Sequence, residues 1–220
     1  KKASLNEKST LIKTIVTSEL GADIGRSYGT KIEETLTGFK YIGDKICRYE
    51  ETGEADFVIG YEESYGYLVG THARDKDAVS SSMLIAEMAS YYKNQGKTLV
   101  DALNDIYAAY GYYYDSLETI VLKGKEGAEK IQASMQILRE KGTEAFADLS
   151  ALKDYSQGID GLPKENVLLF EFCDGSWAAA RPSGTEPKLK LYFSVKGENS
   201  EVAIARQKAI SAKLMETMGL

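Results

Sequence analysis

The chain has 220 residues, enough for two domains of about 100 residues each. Its net charge of −6 argues against nucleic-acid binding, because phosphate backbones attract strongly basic surfaces. No apolar stretch approaches the roughly 20 residues that span a bilayer, which argues against membrane insertion. Cys47 and Cys173 lack CxxC spacing, so we expect reduced, buried thiols in a cytoplasmic protein.

The first half of the chain alternates predicted strands and helices, which implies an α/β domain with a mostly parallel sheet and helices on its faces. The predicted elements are a strand over 11–16, a helix from Ser18 to about Gly29, a strand over 31–36, a helix over 38–49 and a strand over 57–59. Two further helices carry apolar stripes at steps of three and four, which predict core-facing surfaces. The stripes are Ile85, Met88 and Tyr92, then Leu99, Leu103, Ile106 and Tyr110.

The second half predicts an antiparallel sheet with helices on one face, an α+β module. Its predicted elements are a strand over 114–122, a helix with Ile131, Met135 and Leu138 on one face that ends at Gly142, a hairpin turning at 174–175, a strand from 189 and a last helix from about 200. We therefore expect two domains, over residues 1–111 and 112–220.

Residues 181–188 read Arg-Pro-Ser-Gly-Thr-Glu-Pro-Lys and contain two of the three prolines in the chain. The prolines stiffen the loop, and Gly184 can adopt a left-handed conformation at no steric cost. The backbone N–H groups of Ser183, Gly184 and Thr185 and the hydroxyls of Ser183 and Thr185 can converge here, and Arg181 can grip a phosphate with two parallel hydrogen bonds. The segment predicts a phosphate site, a hairpin turn, or both.

Three segments earlier in the chain also offer polar side chains. Residues 60–66 read Gly-Tyr-Glu-Glu-Ser-Tyr-Gly, where an ionised Glu62 could accept hydrogen bonds from two hydroxyls and Ser64 could donate or accept. The alternative is a solvated acidic turn. Thr37-Gly38 precedes a predicted helix, and the charged run over 71–78 contains Lys76; both are also typical of plain helix starts.

Three segments, in the order in which they occur along the chain, resemble the α-D-phosphohexomutases, the phosphoglucomutase and phosphomannomutase superfamily: Thr37-Gly38-Phe39-Lys40, the acidic segment 60–66 and the loop 181–188. The resemblance extends from Leu11 to Leu220. It implies a third, sugar-binding α/β domain, N-terminally truncated here, followed by a TATA-binding-protein-like C-terminal domain that binds phosphate. The substrate-binding residues that it implies are Thr37, Gly38, Glu62, Ser64, Lys76, Arg181, Ser183, Gly184 and Thr185.

The activity that the resemblance implies is interconversion of hexose 1-phosphate and hexose 6-phosphate through a bisphosphate intermediate, an isomerase reaction of carbohydrate metabolism. The double acidic pair Glu62-Glu63 looks more like a phosphoglucomutase, and phosphomannomutase is the alternative. Members of the family are phosphoproteins that use Mg²⁺ and glucose 1,6-bisphosphate. Tyr65 and Tyr67 are equally consistent with stacking on a sugar ring and with ordinary packing.

Neither the family's Ser-His phosphoserine loop nor its Asp-rich magnesium loop occurs in this chain. We therefore expect no catalytic residue and no metal site here, and a fragment inactive by itself that lacks N-terminal domains of the same polypeptide. His72, the only histidine, is predicted to be a surface residue. A non-catalytic sugar-phosphate-binding module and a structural interaction domain remain alternative hypotheses.

Overall fold

The computed structural model describes residues 4–220. These residues divide into two compact units, an N-terminal unit that ends at Gly111 and a C-terminal unit over 112–220. Within the described residues, no helix combines the length and the apolar character that crossing a membrane requires.

The N-terminal unit is built on a four-stranded sheet with the strand order β2-β1-β3-β4. β1 runs parallel to both β2 and β3, and β4 pairs with β3 in the antiparallel direction. This confirms the predicted mostly parallel sheet. Its elements are β1 (Ser9–Thr14), α1 (Glu19–Ser27), β2 (Lys31–Thr35), α2 (Phe39–Thr52), β3 (Asp56–Glu62), β4 (Gly66–Val69), α3 (Ala78–Lys93) and α4 (Leu99–Tyr110).

Side-chain caps explain where three helices of this unit begin. The Ser18 hydroxyl accepts a hydrogen bond from the Leu20 N–H at the start of α1, as the sequence predicts. Asp77 caps α3, and Thr98 with Asp101 forms a complete capping box on α4.

The hydrophobic core between α2 and the sheet contains Ile12, Phe39, Ile42, Ile46, Tyr49 and Leu68.

The apolar stripes of α3 and α4 are not core, which corrects the sequence-based prediction. Ile85 and Met88 on α3 are 48% and 42% exposed, and Leu99 and Leu103 on α4 are 38% and 41% exposed. Tyr92, Ile106 and Tyr110 are half-buried. The prediction failed because a helical period identifies an apolar face but does not show that another element covers it.

The C-terminal unit is a five-stranded antiparallel sheet, ordered β5-β9-β8-β7-β6, with α5 and α6 packed on one face. The expected α+β class is confirmed. The unit comprises β5 (Tyr112–Val121), α5 (Gly124–Ala145), β6 (Leu149–Asp154), a 3₁₀ turn (Tyr155–Gln157), β7 (Leu168–Phe172), β8 (Trp177–Pro182), β9 (Lys188–Gly197) and α6 (Ser200–Met218).

Alternate residues of β7, β8 and β9 form the core of this unit, as the period of two in a strand requires. Asp174 and Gly175 make the predicted hairpin turn, with Gly175 at φ +82°. Gly142 does not end α5, contrary to the prediction. It lies inside the helix, where an added Cβ would be 2.8 Å from the Phe170 ring, so the glycine allows close packing against β7.

Both cysteines are exposed and free, so the prediction of buried thiols was wrong. The Cys47 sulfur accepts a hydrogen bond from Arg74 at 3.2 Å. Cys173 immediately follows β7, where the chain turns toward Gly175.

Candidate functional site

The acidic loop, defined as residues 60–66, is the tip of the hairpin formed by β3 and β4. Glu62 pairs with Gly66 in the last rung, and residues 63–65 form the turn. The Glu62 side chain is only 9% exposed. Its Oε1 accepts a hydrogen bond from the Ser64 hydroxyl at 2.9 Å. A largely buried carboxylate is thereby held in a fixed orientation beside a hydroxyl.

Lys76 reaches this carboxylate from the segment that precedes α3. Its Nζ lies 3.5 Å from Glu62 Oε1 and 3.4 Å from Asp75 Oδ1. Burial by itself would lower the pKa of Lys76, but the charges of Glu62 and Asp75 outweigh it and raise the pKa. Lys76 is therefore a fixed cation at neutral pH, and about half of its side chain is exposed.

Gly66 makes this approach sterically possible. A Cβ at this position would lie 2.4 Å from Lys76 Cδ and 2.8 Å from Glu62 Cγ. Its φ is not positive. The glycine is therefore required for space and not for a left-handed backbone.

Thr37 and Gly38 lie at the start of α2, and the residue that follows them contacts the same cluster. Gly38 adopts φ +117° and gives α2 no side-chain cap. The next residue, Phe39, is buried, and the Lys76 ammonium lies 5.7 Å from its ring centroid. The structure thus brings Glu62, Ser64 and Lys76 together and connects the Thr37-Gly38 loop to them through Phe39.

Arg74 anchors the segment that carries Lys76. Its Nη1 donates to the backbone carbonyls of Thr71 and Ala73, and Nη2 pairs with Glu50 on α2. The hydrogen bond to Cys47 and the charge of Glu50 raise the pKa of Arg74. The charged run over 71–78 is consequently tied to α2.

Glu63 makes polar contacts that the sequence did not predict. Its Oε2 lies 3.2 Å from the Thr14 hydroxyl and 3.4 Å from the Thr17 hydroxyl, and both threonines are buried. The second carboxylate of the acidic pair therefore points to the end of β1, away from the Glu62 cluster. The adjacent acidic residues in the sequence gave no indication that their side chains point in different directions.

The two-proline loop, defined as residues 181–188, connects β8 to β9. The Ser183 N–H donates to the Lys188 carbonyl at 2.8 Å, and the Ser183 hydroxyl accepts from the N–H groups of Thr185 and Glu186 at 3.4 and 3.2 Å. The N–H groups of Ser183 and Thr185 are therefore engaged within the loop, and that of Ser183 closes the hairpin. Gly184 does not adopt the left-handed conformation that the sequence allows.

Arg181 lies at the end of β8 with a side chain that is 25% exposed. Its Nη2 is 3.6 Å from Glu165 Oε1. Its Nε is buried and has no hydrogen-bond partner within residues 4–220. Lys190 is its cross-strand partner on β9, so two cationic side chains face the same side of the sheet. The guanidinium retains a donor that an incoming anion could satisfy.

His72 is exposed, as predicted, and its Nε2 lies 2.8 Å from Asp77 Oδ2. The polar groups around this carboxylate, namely the Ser80 hydroxyl, the His72 ring and the Val79 N–H, lower the pKa of Asp77 well below its usual range. Among the described residues, no group of three or more His, Cys, Asp or Glu side chains is arranged to hold a metal ion.

Two family models match the chain. "Phosphoglucomutase/phosphomannomutase, alpha/beta/alpha domain III" matches residues 1–110, and "Phosphoglucomutase/phosphomannomutase, C-terminal domain" matches residues 87–211. A phosphoglucomutase of Staphylococcus haemolyticus is 39% identical over 206 residues, covering 88% of this chain and 37% of the relative. A phosphoglucomutase of Staphylococcus saprophyticus is 37% identical over 211 residues, covering 89% of the chain and 38% of the relative.

Solved structures show the same fold. The open form of pp63/parafusin, a phosphoglucomutase from Paramecium, superimposes with a TM-score of 0.73 at 22% identity over 96% of this chain and 37% of that chain. A phosphomannomutase-like protein of Thermus thermophilus gives a TM-score of 0.56 at 17% identity, over 94% of this chain and 37% of that one.

Each family model matches one part of the chain, and the α/β unit and the antiparallel α+β unit correspond to the two domains that the models describe. The chain belongs to the phosphoglucomutase/phosphomannomutase family. It spans a little over a third of the length of the curated relatives it matches.

Proposed function

We propose that this chain is the substrate-binding, C-terminal part of a phosphoglucomutase that interconverts glucose 1-phosphate and glucose 6-phosphate through a bisphosphate. The observation that carries the proposal is the Glu62 cluster. A 9% exposed carboxylate is oriented by Ser64 and neutralised by Lys76, and the three side chains come from two separate segments of the chain. Such preorganised groups suit a sugar whose hydroxyls must be bound without rearrangement.

In the N-terminal unit, Glu62 accepts hydrogen bonds from sugar hydroxyls and Ser64 donates or accepts as the sugar requires. Lys76 supplies a cation that contacts the substrate from the Phe39 side. Thr37 and Gly38 are assigned to the other end of the sugar on the strength of the family resemblance. Each group binds and orients, and none of them accepts the phosphoryl group.

In the C-terminal unit, the phosphate that is not reacting is held by the two-proline loop. Arg181 provides the charge and an unsatisfied buried N–H, and Lys190 supports it from the neighbouring strand. Because Ser183 and Thr185 already make hydrogen bonds within the loop, phosphate binding exchanges at least some of these for ligand contacts. The residues assigned to this phosphate are Arg181, Ser183, Gly184 and Thr185.

The chemical step belongs to domains that precede this chain in the same polypeptide. On this proposal those domains would supply the phosphoserine and hold Mg²⁺, which would provide positive charge near the transferred phosphoryl group, and glucose 1,6-bisphosphate would be the intermediate. On this proposal the 220-residue chain alone has no turnover. The cytoplasmic location suggested by the sequence is part of the same proposal.

Three alternative functions compete with this proposal. The curated relatives named phosphoglucomutase favour that activity over phosphomannomutase. A non-catalytic sugar-phosphate-binding module would share the binding residues but would lack the serine and Asp-rich loops throughout its gene, so the upstream coding sequence separates the two. A purely structural domain predicts no phosphate binding at Arg181.

Replacement of Arg181 tests the proposed function. Charge-assisted hydrogen bonds contribute about 1.5–3 kcal/mol each. In the full-length enzyme we expect Arg181→Ala to lower kcat/KM by about ten- to a few-hundred-fold. Arg181→Lys should be intermediate, because it keeps the charge and loses the bidentate geometry.

Arg206→Ala is the matched control, because Arg206 lies in the same unit, is 28% exposed and pairs with Asp148 and Asp174, next to the β7–β8 turn and not the β8–β9 loop. It should lower Tm and leave kcat/KM nearly unchanged. If folded Arg181→Ala enzyme keeps wild-type kinetics, the phosphate-binding role of the loop is wrong.

A further inference from the structure

Tyr65 occupies an unusual backbone conformation at the tip of the acidic loop. The turn between the paired residues Glu62 and Gly66 has three residues, and Tyr65 is the last of them with φ +63°. Three-residue hairpin turns typically end with a residue in the left-handed region, where glycine or asparagine is preferred. Here that position carries a bulky aromatic residue, and the glycine comes one residue later.

The left-handed conformation of Tyr65 lowers the stability of the fold, and packing of the side chain does not compensate for it. A non-glycine residue in the left-handed region is held against steric strain, and such residues cluster at ligand-binding sites. The Tyr65 side chain is 87% exposed, so burial does not compensate for the strain. Its hydroxyl makes no hydrogen bond within residues 4–220. Folding alone therefore gives no reason for a tyrosine here.

The neighbouring groups suggest what the ring contacts. A pyranose has a rim of hydroxyls and two faces made largely of C–H groups. Glu62, Ser64 and Lys76 can bind only the polar rim. The Phe39 ring, whose centroid lies 5.7 Å from the Lys76 ammonium, is 3% exposed and unavailable. Tyr65 directly follows Ser64 and presents an open aromatic surface, which is the chemistry that a C–H face requires.

We infer that the Tyr65 ring packs against the C–H face of the hexose bound at the acidic loop. This inference rests on the proposed function and adds a contact that the polar residues cannot make. Ring contact is not directional, unlike the hydrogen bonds of Glu62 and Ser64. It stabilises the sugar equally whether the phosphate is on C1 or on C6, which suits a site that binds both phosphate isomers.

The inference can be tested by binding measurements on the full-length protein, with EDTA present to prevent phosphoryl transfer. The ligands are glucose 1-phosphate, glucose 6-phosphate and inorganic phosphate, and the variants are Tyr65→Asn, Tyr65→Phe and Arg181→Ala. Asparagine tolerates the left-handed region and removes the ring, whereas phenylalanine keeps the ring and removes only the hydroxyl.

We expect Tyr65→Asn to raise the Kd of both glucose phosphates by the same factor, about three- to tenfold. Its affinity for inorganic phosphate and its resistance to urea should not fall. Tyr65→Phe should bind all three ligands as wild type does. Arg181→Ala should weaken the binding of all three.

Two results would overturn the inference while leaving the proposed function intact: Arg181→Ala weakens binding but Tyr65→Asn does not, or Tyr65→Phe loses as much glucose phosphate affinity as Tyr65→Asn. The second result would show that the hydroxyl, and not the ring, makes the contact. If wild-type protein binds none of the ligands, or Arg181→Ala changes nothing, the proposed function fails and this inference fails with it.

Discussion

The missing side chain of Gly66 leaves room for Lys76 to reach Glu62. We expect Gly66→Ala to displace the Lys76 side chain, because the new Cβ would lie 2.4 Å from Cδ and 2.7 Å from Cγ. The half-exposed lysine can move aside, but the Cβ would also lie 2.8 Å from Cγ of the largely buried Glu62, so the stability should fall by about 1 kcal/mol. The kcat/KM of the full-length enzyme should fall by about tenfold, since the Glu62–Lys76 pair is disturbed.

A double-mutant cycle with Lys76→Ala is the control for this effect. If Gly66 acts only by leaving room for Lys76, adding Gly66→Ala to Lys76→Ala should cause no further loss of kcat/KM. Additive losses would show that Gly66 serves the loop in another way, and a large fall in Tm would contradict the flexible response of Lys76.

At the residue scale, the sequence predicted the chemistry of the candidate site better than its geometry. Glu62, Ser64 and Arg181 could be selected because their functional groups match hydroxyls and phosphate. Lys76 lies next to Glu62 because of the path that residues 71–77 take, and Arg74 fixes this path through tertiary contacts. The strain at Tyr65 likewise follows from the register of the hairpin. No local pattern encodes either feature.

At the scale of elements, the Asp77 cap connects the start of α3 to the position of Lys76. Asp77 accepts hydrogen bonds from the Val79 and Ser80 N–H groups and from His72. These bonds hold the pKa of Asp77 below its usual 3.8. A lowered pKa in the folded state contributes stability that is fully present above pH 3.8 and is lost as pH falls below that value.

We therefore expect Asp77→Asn to destabilise the chain at pH 7 and to have a smaller effect at pH 3. Asparagine keeps an acceptor for the cap but carries no charge for the His72 pair or the helix N-terminus. Urea unfolding at both pH values measures the difference. Asp44→Asn is the control, because Asp44 is exposed on α2 and makes no hydrogen bond within residues 4–220. If Asp77→Asn lowered the stability equally at both pH values, the expected link between stability and the lowered Asp77 pKa would be contradicted.

The elements themselves were predictable where local signals were strong. The Ser18 cap and the Asp174-Gly175 turn both lie where the sequence places them. β4 and β6 were missed, because β4 has only four residues and β6 contains no β-branched or aromatic residue. α5 continued past Gly142 because tertiary packing on Phe170 favours a glycine inside the helix.

At the scale of the whole molecule, α3 and α4 expose an apolar surface that a folded protein seldom leaves open. Val79, Met83 and Tyr91 on α3 are 82%, 68% and 62% exposed, and Val100 on α4 is 67% exposed. Glu87 is the only charged residue of α3 before Lys93, and a helix that is apolar on all sides is normally buried. Large exposed apolar patches usually mark interaction surfaces or cause aggregation.

We therefore expect the 220-residue chain by itself to self-associate and to bind a hydrophobic dye such as ANS. The double variant Met83→Lys/Val100→Lys should reduce both without lowering Tm, because neither side chain contributes much to the core. Val202→Lys is the control, since Val202 is 47% exposed on α6 in the C-terminal unit. It should leave association unchanged. Sedimentation velocity over a range of concentrations measures the effect, and a wild-type chain that stays monomeric and binds no dye would contradict it.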